Sequence, residues 1–118
     1  MVNTETKRLE DIMAQCYGTE QYWKHPTFRR YKYTDGVRTF AINGNCWWFV
    51  DDSLMYLSEL PYEFYCVRLK VKNRKGDLII ENGNGKVIKK HHYGLADCPD
   101  GEWVFFAEGD VFLWCGEH

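Results

Sequence analysis

At 118 residues and a net charge of -2, the chain is long enough for one domain with an ordinary core that needs neither metal nor disulfide to hold it. It shows no basic-then-apolar leader and no apolar run near the ~18 residues of a membrane helix, which points to a cytoplasmic setting and away from a membrane. The five cysteines, Cys16, Cys46, Cys66, Cys98 and Cys115, contain no Cys-x-x-Cys pair. They argue against a disulfide framework or a zinc knuckle and for free, mostly buried thiols.

In chain order, residues 1–7 are polar and are expected to fray. Leu9, Ile12, Met13 and Cys16 fall on one helical stripe, so a helix is predicted over residues 5–16, ended by Gly18. Thr19 is placed to cap a short helical turn, Glu20 to Lys24, which His25-Pro26 stops because a residue before proline leaves the helical region. Tyr31 to Thr34 and Val37 to Ile42 are rich in β-formers and flank Asp35-Gly36, which predicts a tight hairpin with a type I′ turn. Asn45 then reads as the N-cap of a helix in which Trp47, Val50, Leu54 and Leu57 recur every three to four residues. Trp47 is thereby expected to anchor that helix, leaving Trp48, about 100° further round, only partly covered.

From Tyr62 to Val71 the period falls to two, with Tyr65, Val67, Leu69 and Val71 on one face and Arg68, Lys70 and Lys72 on the other. A loop at Asn73 to Asp77 leads to a strand at Leu78 to Glu81. Asn82-Gly83-Asn84-Gly85 is a turn, and Lys86 to Tyr93 is the return strand. Residues Gly94 to Gly101 read as an irregular connection, and two strands, Glu102 to Glu108 and Val111 to Cys115, close across Gly109-Asp110. The sum is a single α+β domain: an antiparallel sheet of six to seven strands, built of hairpins and a meander, with two to three helices packed on one face.

Three surfaces compete for function. Aromatic residues form 17% of the chain, so either the core is unusually aromatic or rings are left for a partner surface; in the second case Trp48, Trp23 and Tyr22 are the candidates for contact with a protein partner or a second copy, since partly exposed Trp and Tyr are the usual anchors of interfaces. Between Arg68 and His92 the local charge is strongly basic, and Arg68, Lys70, Lys72, Lys86, Lys89 and Lys90 are the candidates for contact with nucleic acid. A cysteine nucleophile served by His91 or His92 and oriented by Asp97 or Asp100 has the right residue types, but no spacing fixes it. Adjacent histidines on a strand point to opposite faces, so His91, His92, Asp97 and Cys98 make a poor metal set. The Asn82–Gly85 turn runs into a strand rather than a helix, unlike a phosphate cradle. No cofactor, catalytic or metal residue is assigned.

Four stretches, Gly18-Thr19-Glu20-Gln21-Tyr22-Trp23, Tyr33-Thr34-Asp35-Gly36-Val37, Trp47-Trp48-Phe49-Val50-Asp51 and Glu81-Asn82-Gly83-Asn84-Gly85, carry a resemblance over residues 16–92. In order and spacing they are similar to a family of small uncharacterised proteins found in bacteria, phages and other mobile DNA. The resemblance implies a compact accessory protein that acts by binding host machinery. It brings no activity with it.

Overall fold

A computed structural model describes residues 4–118. Among these residues, three α-helices and seven strands form an α+β domain. Helix α1 (Thr4–Met13) is followed by β1 (Tyr22–Lys24), β2 (Lys32–Thr34), α2 (Asp35–Asn43) and α3 (Trp47–Ser58). Strands β3 (Tyr65–Lys72), β4 (Lys75–Asn82), β5 (Val87–Tyr93), β6 (Gly101–Glu108) and β7 (Val111–Trp114) complete the chain, with a 3-10 turn at Cys115–Glu117. The expected frayed segment is helical from Thr4 onward, and residues 1–3 lie outside the described residues.

One sheet takes all seven strands in the order β1-β2-β7-β6-β3-β4-β5. It is mostly antiparallel, as expected, but β2 and β7 run parallel, with Lys32 beside Val111 and Tyr33 beside Phe112. Tyr65, Val67, Leu69, Leu78, Ile80, Trp103, Phe105, Ala107 and Phe112 line up in register on one face and are buried. That face packs against Leu9, Met13, Val37, Phe40, Phe49, Val50, Leu54 and Leu57 of the helices. A pleated sheet shows alternate side chains to each face, so the apolar period of two in β3, β4 and β6 selects the side the helices cover.

The predicted Asp35-Gly36 hairpin does not form, because Asp35 opens α2. Thr34 is its N-cap, accepting a hydrogen bond from the Val37 amide at 3.4 Å. Gly36, Val37, Phe40 and Ala41 then share the buried face at helical spacing. Local β-propensity is weaker than this capped, half-buried period, so the tertiary contacts win. The glycine serves an approach rather than a turn: a Cβ on Gly36 would lie 2.3 Å from Glu117 Oε1. Glu117 closes over the start of α2, its Oε1 accepting from Thr34 Oγ1 at 2.6 Å and from the Trp114 amide at 2.9 Å, and its Oε2 accepting from the Gly36 amide at 3.0 Å. A carboxylate at the positive end of a helix satisfies amides that have no partner inside the helix.

Three other local expectations change. Tyr22 to Lys24 is a strand rather than a helical turn, drawn alongside β2 by the pairing of Trp23 with Tyr33. Helix α1 ends at Met13, and Gly18 is not among the left-handed residues. In α3 the cap is Cys46 rather than Asn45, which is itself left-handed at φ 53°; of the expected stripe Val50, Leu54 and Leu57 are buried, but Trp47 is not, and Phe49 and Ser53 complete the buried face. Phe49, at 0% exposure, is therefore the anchor, whereas Trp47 stays 39% exposed.

The expected loop at Asn73 to Asp77 is a two-residue hairpin turn, with Lys72 paired to Lys75 and Asn73 and Arg74 at φ 52° and 64°. A type I′ turn needs positive φ at both central residues, which suits Asn-Gly far better than Asn-Arg. Arg74→Gly is accordingly expected to stabilise the fold by about 0.5–1 kcal/mol, after loss of the exposed ion pair with Asp97. A urea midpoint at or below that of the parent chain would contradict this.

Candidate functional site

At the β1 edge of the sheet, four side chains from four elements meet. Trp23 of β1 pairs across the strand with Tyr33 of β2, and Trp47 from the first turn of α3 meets the Tyr33 ring edge-on at 5.9 Å. Arg38, on the solvent side of α2, lays its guanidinium over the Trp23 ring at 4.4 Å. Tyr33 is buried, Trp23 is half-buried, and Trp47 and Arg38 are exposed. On the other face of β1, Tyr22 is 56% exposed with the Lys32 ammonium 5.2 Å from its ring. Trp, Tyr and Arg are the side chains that dominate protein interfaces, and rings already held in place lose little entropy on binding.

Asp35 holds this edge together. Its Oδ1 accepts from Trp23 Nε1 at 2.9 Å, and its Oδ2 accepts from the amides of Glu20 at 2.9 Å and Gln21 at 3.3 Å. The Asp35 amide donates to Thr19 Oγ1 at 2.9 Å. The indole hydrogen bond, followed by that of Glu20, holds the Asp35 carboxyl below its ordinary value of 3.8. A carboxyl depressed in the folded state stabilises it above the unfolded value and ceases to do so as pH falls through the folded one. The stability advantage of the parent chain over Asp35→Asn is therefore expected to be constant near neutral pH and to shrink below about pH 4. Urea midpoints of the two chains, measured at falling pH, check it; a gap that held constant into acid would refute the assignment. Next to Lys24 of β1, His25 Nδ1 accepts from the amides of Thr27 and Phe28, each at 3.0 Å. Its Nε2 thus carries the hydrogen and donates to Asp51 Oδ1 at 2.7 Å.

Of the partner candidates read from the sequence, Tyr22 and Trp23 belong to this edge and Trp48 does not. Trp48 is half-buried against Tyr93 of β5, with centroids 4.6 Å apart. It heads a seam along α3 in which Asp52 accepts from Tyr93 Oη at 2.5 Å and Tyr56 Oη lies 2.7 Å from His91 Nδ1. Burial and the Asp52 hydrogen bond push the Tyr93 phenol up. Trp47 was expected to face the core, and Arg38 was not among the candidates. Reading residues 35–43 as a helix would have placed Arg38 on a solvent face, and putting Phe49 in the buried stripe of α3 would have released Trp47 to the surface.

Of the basic candidates, Arg68, Lys70, Lys72 and Lys90 share the face that the helices leave uncovered, and Lys89 lies on the other. Strand β4 separates β3 from β5, and Lys89 pairs with Ile80 on the helix-covered side, its ammonium 4.7 Å from the Tyr56 ring. Arg68, on the uncovered face, is bonded to Glu81 at 2.5 Å and Glu102 at 3.0 Å. Lys70 stands in register between Asp77 and Glu102, while Lys72 and Lys86 sit near opposite ends of the hairpins and Lys90 is paired with Ile79. His92 pairs with Asp77 at 2.9 Å and His118 with Glu108 at 3.1 Å, so the histidines are engaged with Asp51, Tyr56, Asp77 and Glu108 rather than with a thiol. Burial pushes the thiols of Cys16, Cys66 and Cys115 up, away from thiolate chemistry. Among the described residues, no group of three or more His, Cys, Asp or Glu is arranged to hold a metal ion.

A cleft of about 580 Å³ opens where α1, the α2–α3 junction and the β5–β6 connection meet, lined by Arg8, Leu9, Gly44, Asn45, Arg74 and Cys98 among others. Two of its residues, Asn45 and Arg74, have the left-handed backbone that non-glycine residues seldom adopt. Among the described residues, no helix is long and apolar enough to cross a membrane.

A family model described as "Family of unknown function (DUF6876)" matches residues 7–118, extending on both sides of the resemblance read from the sequence. No curated protein and no solved structure matches the chain.

Proposed function

This chain belongs to the DUF6876 family, and because that family is one of unknown function we propose a role from the molecule's own surface: a non-enzymatic protein-interaction module that grips its partner at the β1 edge. The observation that carries the reading is the ring set of Trp23, Tyr33 and Trp47 flanked by Arg38, on a strand whose outer side has no neighbour in the sheet. An open edge offers unpaired backbone groups to an extended segment, and alternate side chains of that segment can seat on the rings.

The occupant we favour is an acidic extended segment of another protein. Lys24 of β1 and Arg38 beside it are exposed and make no carboxylate contact within the described residues, so both are available to pair with the carboxylates of such a segment. The five free thiols agree with a reducing, cytoplasmic setting, and a bacterial or phage accessory role is the setting that the resemblance implies. A nucleic-acid role for the basic strands is second, because Arg68 and Lys70 are already matched by acids on the same face.

The test uses an acidic strand-forming peptide of alternating Glu and Val, its Lys counterpart, and tryptophan fluorescence. Saturable binding of the acidic peptide alone is expected, weakened at least about tenfold by Trp47→Ala and by Arg38→Glu in chains that retain their circular dichroism. Equal binding of both peptides, or of neither, overturns the reading. A dimer seen by sedimentation and abolished by the same substitutions would make a second copy the occupant and overturn the heterologous one.

A further inference from the structure

The helices bury one face of the sheet and leave the other bare. On the bare face the strand register lays out rows across β6, β3, β4 and β5. One row is Glu102, Lys70, Asp77 and His92, and the next is Val104, Arg68, Ile79 and Lys90. A third runs Phe106, Cys66, Glu81 and Val87. Ile79, Val104 and Phe106 are half-buried, Val87 is 52% exposed, and the His118 ring rests on the Phe106 corner at 4.9 Å. A sheet face that meets only water alternates to polar residues, whereas this one keeps apolar side chains between its charges.

We propose that this face is the contact surface of a symmetric dimer, its occupant a second copy of the same chain related by a two-fold axis that runs parallel to the strands between β3 and β4. Such an axis sets β4 of the copy over β3 and β5 of the copy over β6, and each row faces its own image. The first row then meets a matching group at every step: Lys70 faces Asp77 of the second copy, and Glu102 faces His92 of the second copy. In the third row Phe106 faces Val87, apolar on apolar. In the second row Val104 and Ile79 lie against the aliphatic stems of Lys90 and Arg68, while the Arg68 guanidinium stays with Glu81 and Glu102. A two-fold contact must be complementary to itself, and the alternation of charge across the first row supplies that.

Charge balance favours a copy over a strongly charged partner. Arg68, Lys70 and Lys90 stand against Asp77, Glu81 and Glu102, so the face draws neither an acidic nor a basic molecule as a whole. Its extent suffices. The four strands are seven or eight residues long, and at ~4.8 Å between strands and ~3.3 Å per residue they cover about 19 by 26 Å. With the relief of the side chains that footprint approaches the ~800 Å² per partner of a stable interface. Strand β1 lies three strands beyond β6, so the dimer leaves both β1 edges open, at opposite ends. The contact is thus separate from the edge that grips the partner and does not depend on it.

The experiment is sedimentation of the whole folded chain over a range of concentrations, with circular dichroism on every variant. A dimer is expected at about 10 μM and above, and Trp47→Ala, which removes a ring of the β1 edge, is expected to keep it. Lys70→Glu alone and Asp77→Lys alone should each weaken it at least about tenfold, since each sets like charges face to face. Mixing the two variants is expected to restore the dimer as a mixed pair, because the reversed charges then meet across the axis. No contact within one chain can produce that result. Should either variant fail to fold, Ile79→Arg sets a guanidinium against Arg68 of the second copy and is expected to give a monomer. A monomer at every concentration up to about 100 μM overturns the proposal. So does a dimer indifferent to these substitutions, a dimer that Trp47→Ala abolishes, or a pair of variants that stay apart when mixed.

Discussion

Replacing Phe40 with alanine is expected to lower the unfolding free energy by about 3–5 kcal/mol, the range for removing a buried aromatic ring. Phe40 is fully buried, its ring 4.9 Å from that of Phe105, 5.4 Å from Trp103 and 5.8 Å from Phe49. It is the point where α2, α3 and the central strand β6 meet. Against a typical total of about 5–15 kcal/mol, such a loss leaves a domain of this size marginal. The neighbouring Ile42 supplies the control. It is 51% exposed, and Ile42→Ala is expected to change stability by no more than about 0.5 kcal/mol. In a strand the two would share a face and lose comparable amounts; in a helix they lie 200° apart. Equal urea midpoints for the two variants would therefore sink the helical assignment itself.

Glu117→Ala is expected to cost about 3 kcal/mol, because three donors lose an ionic acceptor at once. The Gly36 amide and the Trp114 amide are left without it, and so is the Thr34 hydroxyl that caps α2. Gly36→Ala should cost a similar amount for the complementary reason, since its methyl would occupy the carboxylate's place. The two effects arise from one contact and so cannot add. In the Glu117→Ala background the Gly36→Ala substitution is expected to cost less than about 1 kcal/mol, the residue of helix propensity and local fit. Additive losses in this cycle would show that the carboxylate and the glycine act separately.

The same contact shows where sequence reading stopped. Strands β3 to β7 were legible because each has one partner a single turn away and because side chains alternate plainly, as Tyr65, Val67, Leu69 and Val71 do, although the β3–β6 pairing, like that of β2 with β7, joins distant segments. Helix α2 was not, because Val37, Thr39 and Phe40 favour strands locally and Gly36 looks like a turn residue until Glu117 is brought beside it. The parallel β2–β7 pair was invisible for a related reason: nothing in Lys32 to Thr34 names a distant partner. At the candidate site Tyr22 and Trp23 were found from composition, and Trp47 was passed over for Trp48 because it was placed on the buried side of α3. That slip followed from taking Trp47, Val50, Leu54 and Leu57 as the buried stripe, when Phe49 and Ser53 belong to it and Trp47 does not.

The bond between Thr34 and Glu117 spans 83 residues, and the β2–β7 pairing beside it spans nearly as many. On a ribosome the first strands and α2 would emerge long before the segment that completes them. Closing so wide a loop is slow compared with forming the β3–β4–β5 meander, whose contacts are local. The meander would thus form first, with the aromatic edge of β1 undocked until residues 111–117 join it. A chain cut short before residue 111 and held clear of the ribosome by a linker should bear the finished meander and an N-terminal third still open to chaperones and proteases.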